Sequence, residues 1–420
     1  MHFQSHCFIL QGMERVYKKL LIEYLQFFPC VALIGPRQCG KTTLLESFMP
    51  EWKIIDLEKQ SDFQLLSHDP DLFLRLNPEK IGIDEAQIFP ELFPALRVAI
   101  DRDRKKTGRF IITGSSSPNL VRSISESLAG RIGIIEMSPF AFAEVSSANP
   151  CFQLCKLIAK EVPIETFVRD LKPKANIKQA HTYWLQGGFP EPWTKQNKRF
   201  RSLWMNQYLG TYIMRDILRL FPKINENRFR TFVRLLTGIS GTVINYSQIA
   251  RSLGVSQPTV RDYFEIIHGT FLWRNIPSYT KDSVKRIVKH PKGYFRDSGL
   301  LHFLMRISDL DTLFAHPQMG NSWEGMVIEE IIRGFHSLGE GFDYYYYRTS
   351  SGAEIDLVIE GSFGLIPVEI KSSQTVQKRQ LKSLKNFIKE KQCNYGLVIN
   401  NDESPRLYDE NIAAIPFTHL

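Results

Sequence analysis

The sequence predicts an α/β protein: a first α/β domain, then a helical region that contains a helix–turn–helix, then a second, smaller α/β domain. Three observations lead to this prediction. A short apolar run enters a glycine-rich loop near residue 35, two helical segments flank a glycine within residues 245–267, and two strand-like runs flank a turn within residues 352–373. The predicted domains are residues 1–145, 146–235, 236–320 and 321–420.

The composition is that of an ordinary globular protein. Of its 420 residues, 43% are hydrophobic and 23% are charged, which excludes a disordered or collagen-like chain. No apolar run approaches the ~20 residues that a membrane-spanning helix needs. The N-terminus also lacks the charged start and apolar middle of a secretory signal. We therefore expect a cytoplasmic protein with no membrane partner.

The positive charge of the chain is concentrated in one region. The formal net charge is +9, and residues 195–296 carry a large excess of Lys and Arg over Asp and Glu. Such a region can bind a polyanion by releasing condensed counterions. This favours nucleic acid, most readily DNA, as a partner, and a solvated basic surface that improves solubility is the alternative.

The first strand and the loop after it predict a nucleotide site. Residues 31–34 form an apolar run typical of a buried strand, and a G-x-x-x-x-G-K-T pattern and a helical segment follow. In this pattern backbone N–H groups surround phosphate oxygens, Lys41 reaches the β- and γ-phosphates, and the Thr42 hydroxyl ligates Mg²⁺. The candidate nucleotide-binding residues are Gly35, Pro36, Arg37, Gln38, Cys39, Gly40, Lys41, Thr42 and Thr43.

A second strand supplies the acids that ATP hydrolysis requires. Residues 81–84 are β-like and end in the pair Asp84-Glu85. We expect Asp84 to hold Mg²⁺ and Glu85 to act as the general base that activates water. The expected cofactors are ATP and Mg²⁺.

Two further segments offer polar residues to the same site. The strand-like run that begins at Arg109 ends in Thr113-Gly-Ser115, and either hydroxyl could orient the attacking water. Ser115 could equally belong to a loop or a helix cap. Arg131 precedes another apolar run, where it could reach the γ-phosphate in a neighbouring copy or form a structural salt bridge.

These four segments together resemble the AAA-type P-loop ATPases of bacteria and archaea. The loop ending in Thr42 and the Asp84-Glu85 pair match the family's phosphate-loop and acidic motifs, while Ser115 and Arg131 match its sensor and Gly-Arg motifs. The resemblance implies an αβα sandwich with a central parallel sheet and ATP hydrolysis. It also implies association of several copies, so a homo-oligomer is expected.

The middle of the chain reads as helical and then as helix–turn–helix. An aromatic stripe between residues 201 and 220 favours core packing over ligand contact. Further on, Ser247 is predicted to cap a first helix, Gly254 to form the turn, and Pro258 to lie at the start of a second helix. This pattern predicts a winged-helix domain.

The second of these helices would carry the nucleic-acid contacts. Gln257, Thr259 and Arg261 lie outward near its start, where a recognition helix reads the major groove. A winged helix can also bind proteins, so this alternative stays open. In the Lys/Arg-rich stretch of residues 281–292, which could form a wing touching phosphates, the candidate contacts are Lys285, Arg286 and Lys289.

The last hundred residues bring together acids and a lysine. Asp356 lies in one strand, Glu369 and Lys371 share one face of the next, and Glu324 lies in an upstream amphipathic helix. Two acids can hold a Mg²⁺ ion, and a lysine can stabilise the activated water or the leaving charge. An exposed Glu-x-Lys on an edge strand is the alternative.

These residues resemble the restriction-endonuclease-like (PD-(D/E)xK) superfamily, with Glu324 as its upstream helical acid. The resemblance implies that Asp356 and Glu369 bind metal and that Lys371 is catalytic. The whole layout is similar to a broad prokaryotic family of ATPases that end in a domain of unknown function. We expect an ATPase that couples hydrolysis to nucleic-acid binding or processing. The alternative is a nucleotide-dependent switch or scaffold that binds protein partners without cleavage.

Overall fold

The computed structural model describes residues 13–115, 124, 126–146, 150–158, 162–217, 221, 224–280, 290–349 and 352–420, with the backbone alone at 156, 213–216 and 378. Within this part of the chain, no helix is long and apolar enough to cross a membrane. Three of the predicted nucleic-acid contacts, Lys285, Arg286 and Lys289, lie outside it.

Five parallel strands form the first sheet, in the order β2-β3-β4-β1-β5. Alternate residues of β1 face two different clusters of buried side chains, so helices cover both faces of the sheet. The strands are β1 (Cys30–Gly35), β2 (Lys53–Asp56), β3 (Ile81–Asp84), β4 (Phe110–Ser115) and β5 (Ile132–Glu136). The helices are α1 (Tyr17–Phe27), α2 (Lys41–Glu46), α3 (Gln60–Ser67), α4 (Pro70–Leu76) and α5 (Leu92–Arg102), with a 3-10 turn at Ala86–Ile88.

A series of helices follows this sheet. They are α6 (Phe142–Ser146), α7 (Cys155–Ile158), α8 (Ile164–Asp170), α9 (Ile177–Gln186), α10 (Pro190–Lys195) and α11 (Lys198–Tyr208), and α11 continues into a π-helical stretch at Leu209–Asp216. Local signals fix several of the starts. For example, the Asn176 side chain accepts a hydrogen bond from the N–H of Gln179 at the start of α9.

Three helices and a small antiparallel sheet come next. The helices are α12 (Glu226–Ile239), α13 (Tyr246–Leu253) and α14 (Gln257–Gly269), and the strands are β6 (Thr242–Val243), β7 (Trp273–Ile276) and β8 (Lys292–Phe295). The order in the sheet is β6-β8-β7, so β8 is central. Gly254 has φ +62° at the turn between α13 and α14, a conformation that glycine adopts without strain.

The C-terminal part is built on a six-stranded mixed sheet in the order β13-β14-β12-β11-β10-β9. Its strands are β9 (Phe342–Arg348), β10 (Glu354–Gly361), β11 (Gly364–Ile370), β12 (Gly396–Asn400), β13 (Arg406–Asp409) and β14 (Ile412–Pro416). Its helices are α15 (Ser298–Leu304), α16 (Leu310–Ala315), α17 (Met319–Leu338) and α18 (Lys382–Lys391), with 3-10 turns at Lys378–Leu381 and Phe417–His419.

The buried clusters divide the helical region differently from the predicted boundaries. Side chains from α6 to α9, such as Phe142 and Trp184, share a hydrophobic core with the C-terminal sheet and α17. Side chains of α11, such as Met205, instead share a core with α12 to α14. The predicted segment 146–235 therefore contributes to two cores.

Candidate active site

The loop between β1 and α2 is curled around the Lys41 ammonium group. Lys41 is buried, and its Nζ donates to the carbonyl oxygens of Gly35, at 3.2 Å, and Pro36, at 2.9 Å. Gln38 and Gly40 adopt positive φ angles of 60° and 97°, which produce the curl. A Cβ at Gly35 would collide with the Met137 carbonyl oxygen, so only glycine fits at the end of the buried strand. The loop has the shape that phosphate binding requires.

The second acid stands next to the loop, as the sequence predicts. The Thr42 hydroxyl donates to Asp84 Oδ2 at 2.7 Å, and the Thr113 hydroxyl donates to Asp84 Oδ1. Burial raises the pKa of the Asp84 carboxyl, while these two hydrogen bonds act in the opposite direction. A hydroxyl beside a carboxylate is an oxygen donor set that suits Mg²⁺, which binds few protein groups and shares its coordination with substrate phosphates.

Glu85 is held by hydrogen bonds from its backbone and its carboxylate, and it shares Thr113 with Asp84. It adopts a left-handed conformation with φ +56°, and its N–H donates to Thr113 Oγ1 at 3.3 Å. Its carboxylate accepts hydrogen bonds from Gln87 and, at 3.4 Å, from the Ser115 hydroxyl. Gln87 also donates to Ser115 Oγ at 3.2 Å. Both hydroxyl candidates are therefore at the site, and Gln87 is an additional member that the sequence reasoning missed although it stands two residues after Glu85.

Arg131 lies elsewhere. It precedes β5, at the amino end of a parallel strand, whereas the phosphate-binding loop follows the carboxyl end of β1. Its guanidinium forms two hydrogen bonds to Asp101, with Nε–Oδ1 at 2.7 Å and Nη2–Oδ2 at 2.9 Å. Within the chain Arg131 is therefore a salt-bridge partner, which was one of the two interpretations of the sequence.

The loop opens onto a cavity of about 640 Å³. Glu85 and the loop residues from Arg37 to Thr43 line one side, except Cys39, whose buried thiol points toward the Met137 carbonyl oxygen. Glu46 and Glu58 also line the cavity, and the rest of its wall comes from the helical region, which the sequence did not connect with the nucleotide site. The wall residues are Pro190, Glu191, Thr194, Lys195, Tyr208, Thr211 and Tyr212.

Tyr208 is the most distinctive residue of this wall. Its ring stacks on Trp204 with centroids 5.1 Å apart and an interplanar angle of 8°. Its hydroxyl is buried and has no hydrogen-bond partner among the described residues. The aromatic stripe therefore combines core packing, as predicted, with a place beside the nucleotide cavity.

The predicted C-terminal acids and lysine converge at the ends of β10 and β11. Lys371 Nζ lies 2.6 Å from Glu369 Oε1 and 3.9 Å from Asp356 Oδ2, and Asp356 also accepts a hydrogen bond from the N–H of Ile370 at 2.7 Å. Burial and the nearby Asp356 raise the pKa of Glu369 to about 8 and that of Glu324 to about 7. We call Glu324, Glu354, Asp356 and Glu369 the acidic cluster.

A lysine from another part of the chain enters the acidic cluster. Lys292 is buried on β8, its Nζ lies 3.2 Å from Glu324 Oε1, and it also forms an ion pair with Glu354. The sequence placed this lysine in a wing that would touch phosphates, which is wrong for Lys292 because its side chain is buried and paired with Glu324 and Glu354. Within the described ranges, no group of three or more His, Cys, Asp or Glu side chains is arranged so that it could hold a metal ion.

The remaining predicted contacts lie on the surface of α14. Gln257 and Arg261 are exposed and Thr259 is half-buried, as expected for the outward face of this helix. The Arg261 guanidinium lies 4.5 Å from the ring centroid of Tyr246. The predicted cap of α13 is wrong, because Asn245 accepts from the N–H of Gln248 at 3.0 Å while Ser247 donates to Asn245.

Three parts of the chain match known domain families, and the first sheet lies in one of them. Residues 28–146 match the model of an AAA domain, and residues 177–311 and 319–420 match two domains of unknown function, DUF8612 and DUF4143. Among solved structures, the Walker-type ATPase PABY2304 of Pyrococcus abyssi aligns with a TM-score of 0.43 and 17% identity, covering 69% of this chain and 94% of that one.

Two relatives align over most of the chain. The uncharacterized protein MJ1544 of Methanocaldococcus jannaschii is 22% identical over 390 residues, covering 88% of this chain and 82% of that protein. The uncharacterized protein Rv2008c of Mycobacterium tuberculosis is 35% identical over 350 residues, covering 83% of this chain and 71% of that protein. The chain therefore belongs to the protein family of Rv2008c and contains an AAA-type P-loop ATPase domain.

Proposed function

We propose that the chain binds ATP with Mg²⁺ and hydrolyses it at the carboxyl edge of the first sheet. The observation that carries this proposal is the set of contacts joining Thr42, Asp84 and Thr113 beside the curled loop around Lys41. Lys41, Thr42 and Glu85 border one cavity of about 640 Å³, a volume within the ordinary range for a small-molecule site, and Asp84 lies buried directly behind Thr42.

Each residue has a defined part in the proposed reaction. Lys41 and the loop N–H groups bind the phosphates, and Thr42 and Asp84 would hold Mg²⁺, which neutralises charge on the phosphate oxygens. Glu85 accepts a proton from the attacking water, and its network with Gln87 and Ser115 holds its carboxylate in position.

The ATPase proposal is tested by measuring ATP binding and phosphate release separately. Lys41→Ala is expected to lose nucleotide affinity. Glu85→Gln is expected to bind ATP like the wild type but to release phosphate ~100-fold or more slowly, because the general base is gone. Glu91→Gln removes an exposed carboxylate from the same domain and serves as the control. Normal turnover in Glu85→Gln would remove Glu85 as the base.

We further propose that ATP turnover is coupled to DNA binding by a winged-helix arrangement within residues 226–295. The support is the element order, with α12, β6, α13, α14, β7 and β8 in succession, together with exposed Gln257 and Arg261 near the start of α14. The excess of Lys and Arg between residues 195 and 296 supplies an electrostatic attraction for phosphate.

Coupling to DNA is tested by the ATPase rate with and without duplex DNA over a series of salt concentrations. We expect DNA to raise the rate, and the effect to weaken steeply with salt because phosphate contacts release counterions. Arg261→Gln should reduce DNA affinity, whereas Arg97→Gln, an exposed arginine of the ATPase domain, should not. If duplex DNA does not change the ATPase rate at low salt, the alternative is favoured, which is a nucleotide-dependent switch or scaffold for protein partners.

A second candidate function is Mg²⁺-dependent phosphodiester cleavage by a restriction-endonuclease-like C-terminal domain. It is favoured by the contacts of Lys371 with Glu369 and Asp356, and by Glu369 Oε2, a buried oxygen without a hydrogen-bond partner among the described residues. Asp356 and Glu369 would hold the ion and Lys371 would stabilise the activated water or the leaving charge. Glu324 would complete the acidic set.

Cleavage is tested by nicking of supercoiled DNA with Mg²⁺ or Mn²⁺. Asp356→Asn and Lys371→Met should abolish nicking, while Lys389→Met, which removes an exposed lysine of the same domain, should not. Nicking that persists in both site variants would rule out this site.

Self-association is a separate proposal. Size-exclusion chromatography with ATP should show a species larger than one copy of the chain. If Arg131 serves the site of a neighbouring copy, Arg131→Ala should lower the ATPase rate of that larger species.

A further inference from the structure

A second cavity, distinct from the nucleotide cavity, lies between α11, α12 and the end of α15. Its volume is about 760 Å³, against about 640 Å³ for the nucleotide cavity. The two cavities adjoin the same helix, since Tyr208 of α11 borders the nucleotide cavity and Met205 borders this one. We call it the basic cavity.

The basic cavity carries an excess of positive charge, with four cations against one carboxylate. Four cationic side chains border it: Lys198, Arg201, Arg234 and Arg306. No salt bridge joins any of the four to a carboxylate among the residues that the structure describes. The one acid at the cavity, Asp309, accepts hydrogen bonds from the N–H of Thr312 at 2.8 Å and from Ser308 Oγ at 2.9 Å, and so caps α16.

Arg201 is the least solvated of the four cations, because Lys198, Arg234 and Arg306 are exposed. Its side chain is half-buried, and burial lowers its pKa. Its hydrogen bond is to a neutral group, from Nη2 to the carbonyl oxygen of Ser308 at 3.3 Å. A partly desolvated guanidinium that forms no salt bridge among the described residues is stabilised by an anion that enters the cavity.

Arg306 is exposed at the cavity and has an unusual backbone conformation. It follows the end of α15 with φ +61°, a left-handed position where glycine is favoured. Its N–H donates to the carbonyl oxygen of Phe303 at 3.0 Å. A residue with a long cationic side chain therefore occupies a position where the backbone alone would favour glycine, and its side chain borders the cavity.

The wall between the cations is partly apolar and partly polar. Its apolar side chains are Leu185, Met205, Leu209, Phe303, Leu304 and Ile307, and Ser202, Asn206 and Thr237 are its polar side chains. Apolar walls with a few charged groups at fixed positions are typical of sites for small organic ligands, and the volume lies within the range of such sites. A DNA duplex, about 20 Å wide, would contact only the rim of a cavity of this size.

We propose that the basic cavity is a second ligand site, which binds a small organic anion, a phosphate, sulfonate or carboxylate with an apolar body. The anion pairs with Arg201 and Arg306, and the apolar body contacts the half-buried Leu209 and Phe303. Nothing in the proposed ATPase reaction requires this site, so binding here and ATP hydrolysis can succeed or fail independently.

The test uses 8-anilinonaphthalene-1-sulfonate, an apolar anion whose fluorescence rises on binding, with the full-length chain. We expect saturable binding that Arg201→Gln and Arg306→Gln each weaken about tenfold, the effect of losing one charge-assisted hydrogen bond. Arg97→Gln and Lys41→Ala should bind as the wild type does. N-phenyl-1-naphthylamine, which lacks the sulfonate, should bind wild type and Arg201→Gln equally.

Three results would overturn the proposal: unchanged affinity in both arginine variants, loss of binding in Lys41→Ala, which would put the probe in the nucleotide cavity, and full displacement of the probe by duplex DNA at equimolar sites. Should an arginine variant fail to fold, Ser202→Trp tests whether the probe occupies this cavity, and unchanged binding in that variant would overturn the proposal. Ser202 is exposed on α11 at the cavity, so a tryptophan there should block the probe without changing the charge or the core.

Discussion

Thr113 connects the two acids of the ATPase site. Its hydroxyl donates to Asp84 and accepts from the N–H of Glu85, and the residue is almost fully buried on β4. We expect Thr113→Val, which keeps the shape and removes the hydroxyl, to lower kcat about 10- to 100-fold with a smaller change in KM, because the base loses its support while the phosphate-binding loop is intact. Thr113→Ser should restore most of kcat. Equal losses in Val and Ser would indicate packing as the cause.

His302 makes stability depend on pH. Its Nδ1 donates to the carbonyl oxygen of Leu185 at 3.2 Å, and its Nε2 lies 2.6 Å from the Ser322 hydroxyl, which in turn accepts from Trp184 Nε1. Neutral imidazole fits this arrangement, with Nε2 accepting from the Ser322 hydroxyl, and burial lowers the pKa of His302 from 6.5 to about 4. Because the unfolded state binds the proton more tightly, stability is lost as pH falls from 6.5 toward 4, by about 3 kcal/mol.

The measurement is chemical denaturation of the wild type and of His302→Gln between pH 7.5 and 4.5. The glutamine variant should be less stable at pH 7.5 and should show a shallower loss of stability on acidification. Parallel curves for the two proteins would show that the pH dependence has another source.

At the scale of elements, the sequence predicts features that depend on residues close along the chain, but it does not predict contacts between distant segments. The strands at residues 31–34 and 81–84, the turn at Gly254 and the hairpin that carries Asp356 and Glu369 are all confirmed, because each depends on neighbours close in sequence. The cap of α13 was assigned to the wrong residue because Asn245 and Ser247 are both good caps. The wall around Tyr208 was missed because it lies far along the chain from the phosphate-binding loop.

Lys292, the first residue of β8, shows how contacts with distant segments decide whether a side chain is buried. Its neighbours in sequence are basic, but its neighbours in space are Glu324 and Glu354, so its ammonium group is buried between acids. Removing it with Lys292→Met should destabilise the chain by about 3–5 kcal/mol, because a buried carboxylate loses its counter-charge. Adding Glu324→Gln should recover part of the loss. Additive effects in this double-mutant cycle, measured by denaturation, would mean that the pair does not interact.

At the scale of the whole molecule, one buried ion network joins three regions. Glu136 is the last residue of β5 in the ATPase domain, Arg274 and Arg296 come from β7 and the residue after β8, and Glu329 lies in α17. Arg296 Nη2 lies 2.6 Å from Glu136 Oε1, and Arg274 Nη2 lies 3.4 Å from the same oxygen. Both arginines also pair with Glu329.

This network predicts that the regions unfold together. In Glu136→Gln the two arginines keep Glu329 but lose the carboxylate of the ATPase domain, so the free energy holding that domain to the others falls while each hydrophobic core stays intact. Differential scanning calorimetry should show one transition in the wild type and two in the variant, the first at a lower temperature. Glu91→Gln, which removes an exposed carboxylate from the same domain, should leave the single transition unchanged. A single wild-type-like transition in Glu136→Gln would show that apolar contacts alone hold the regions together.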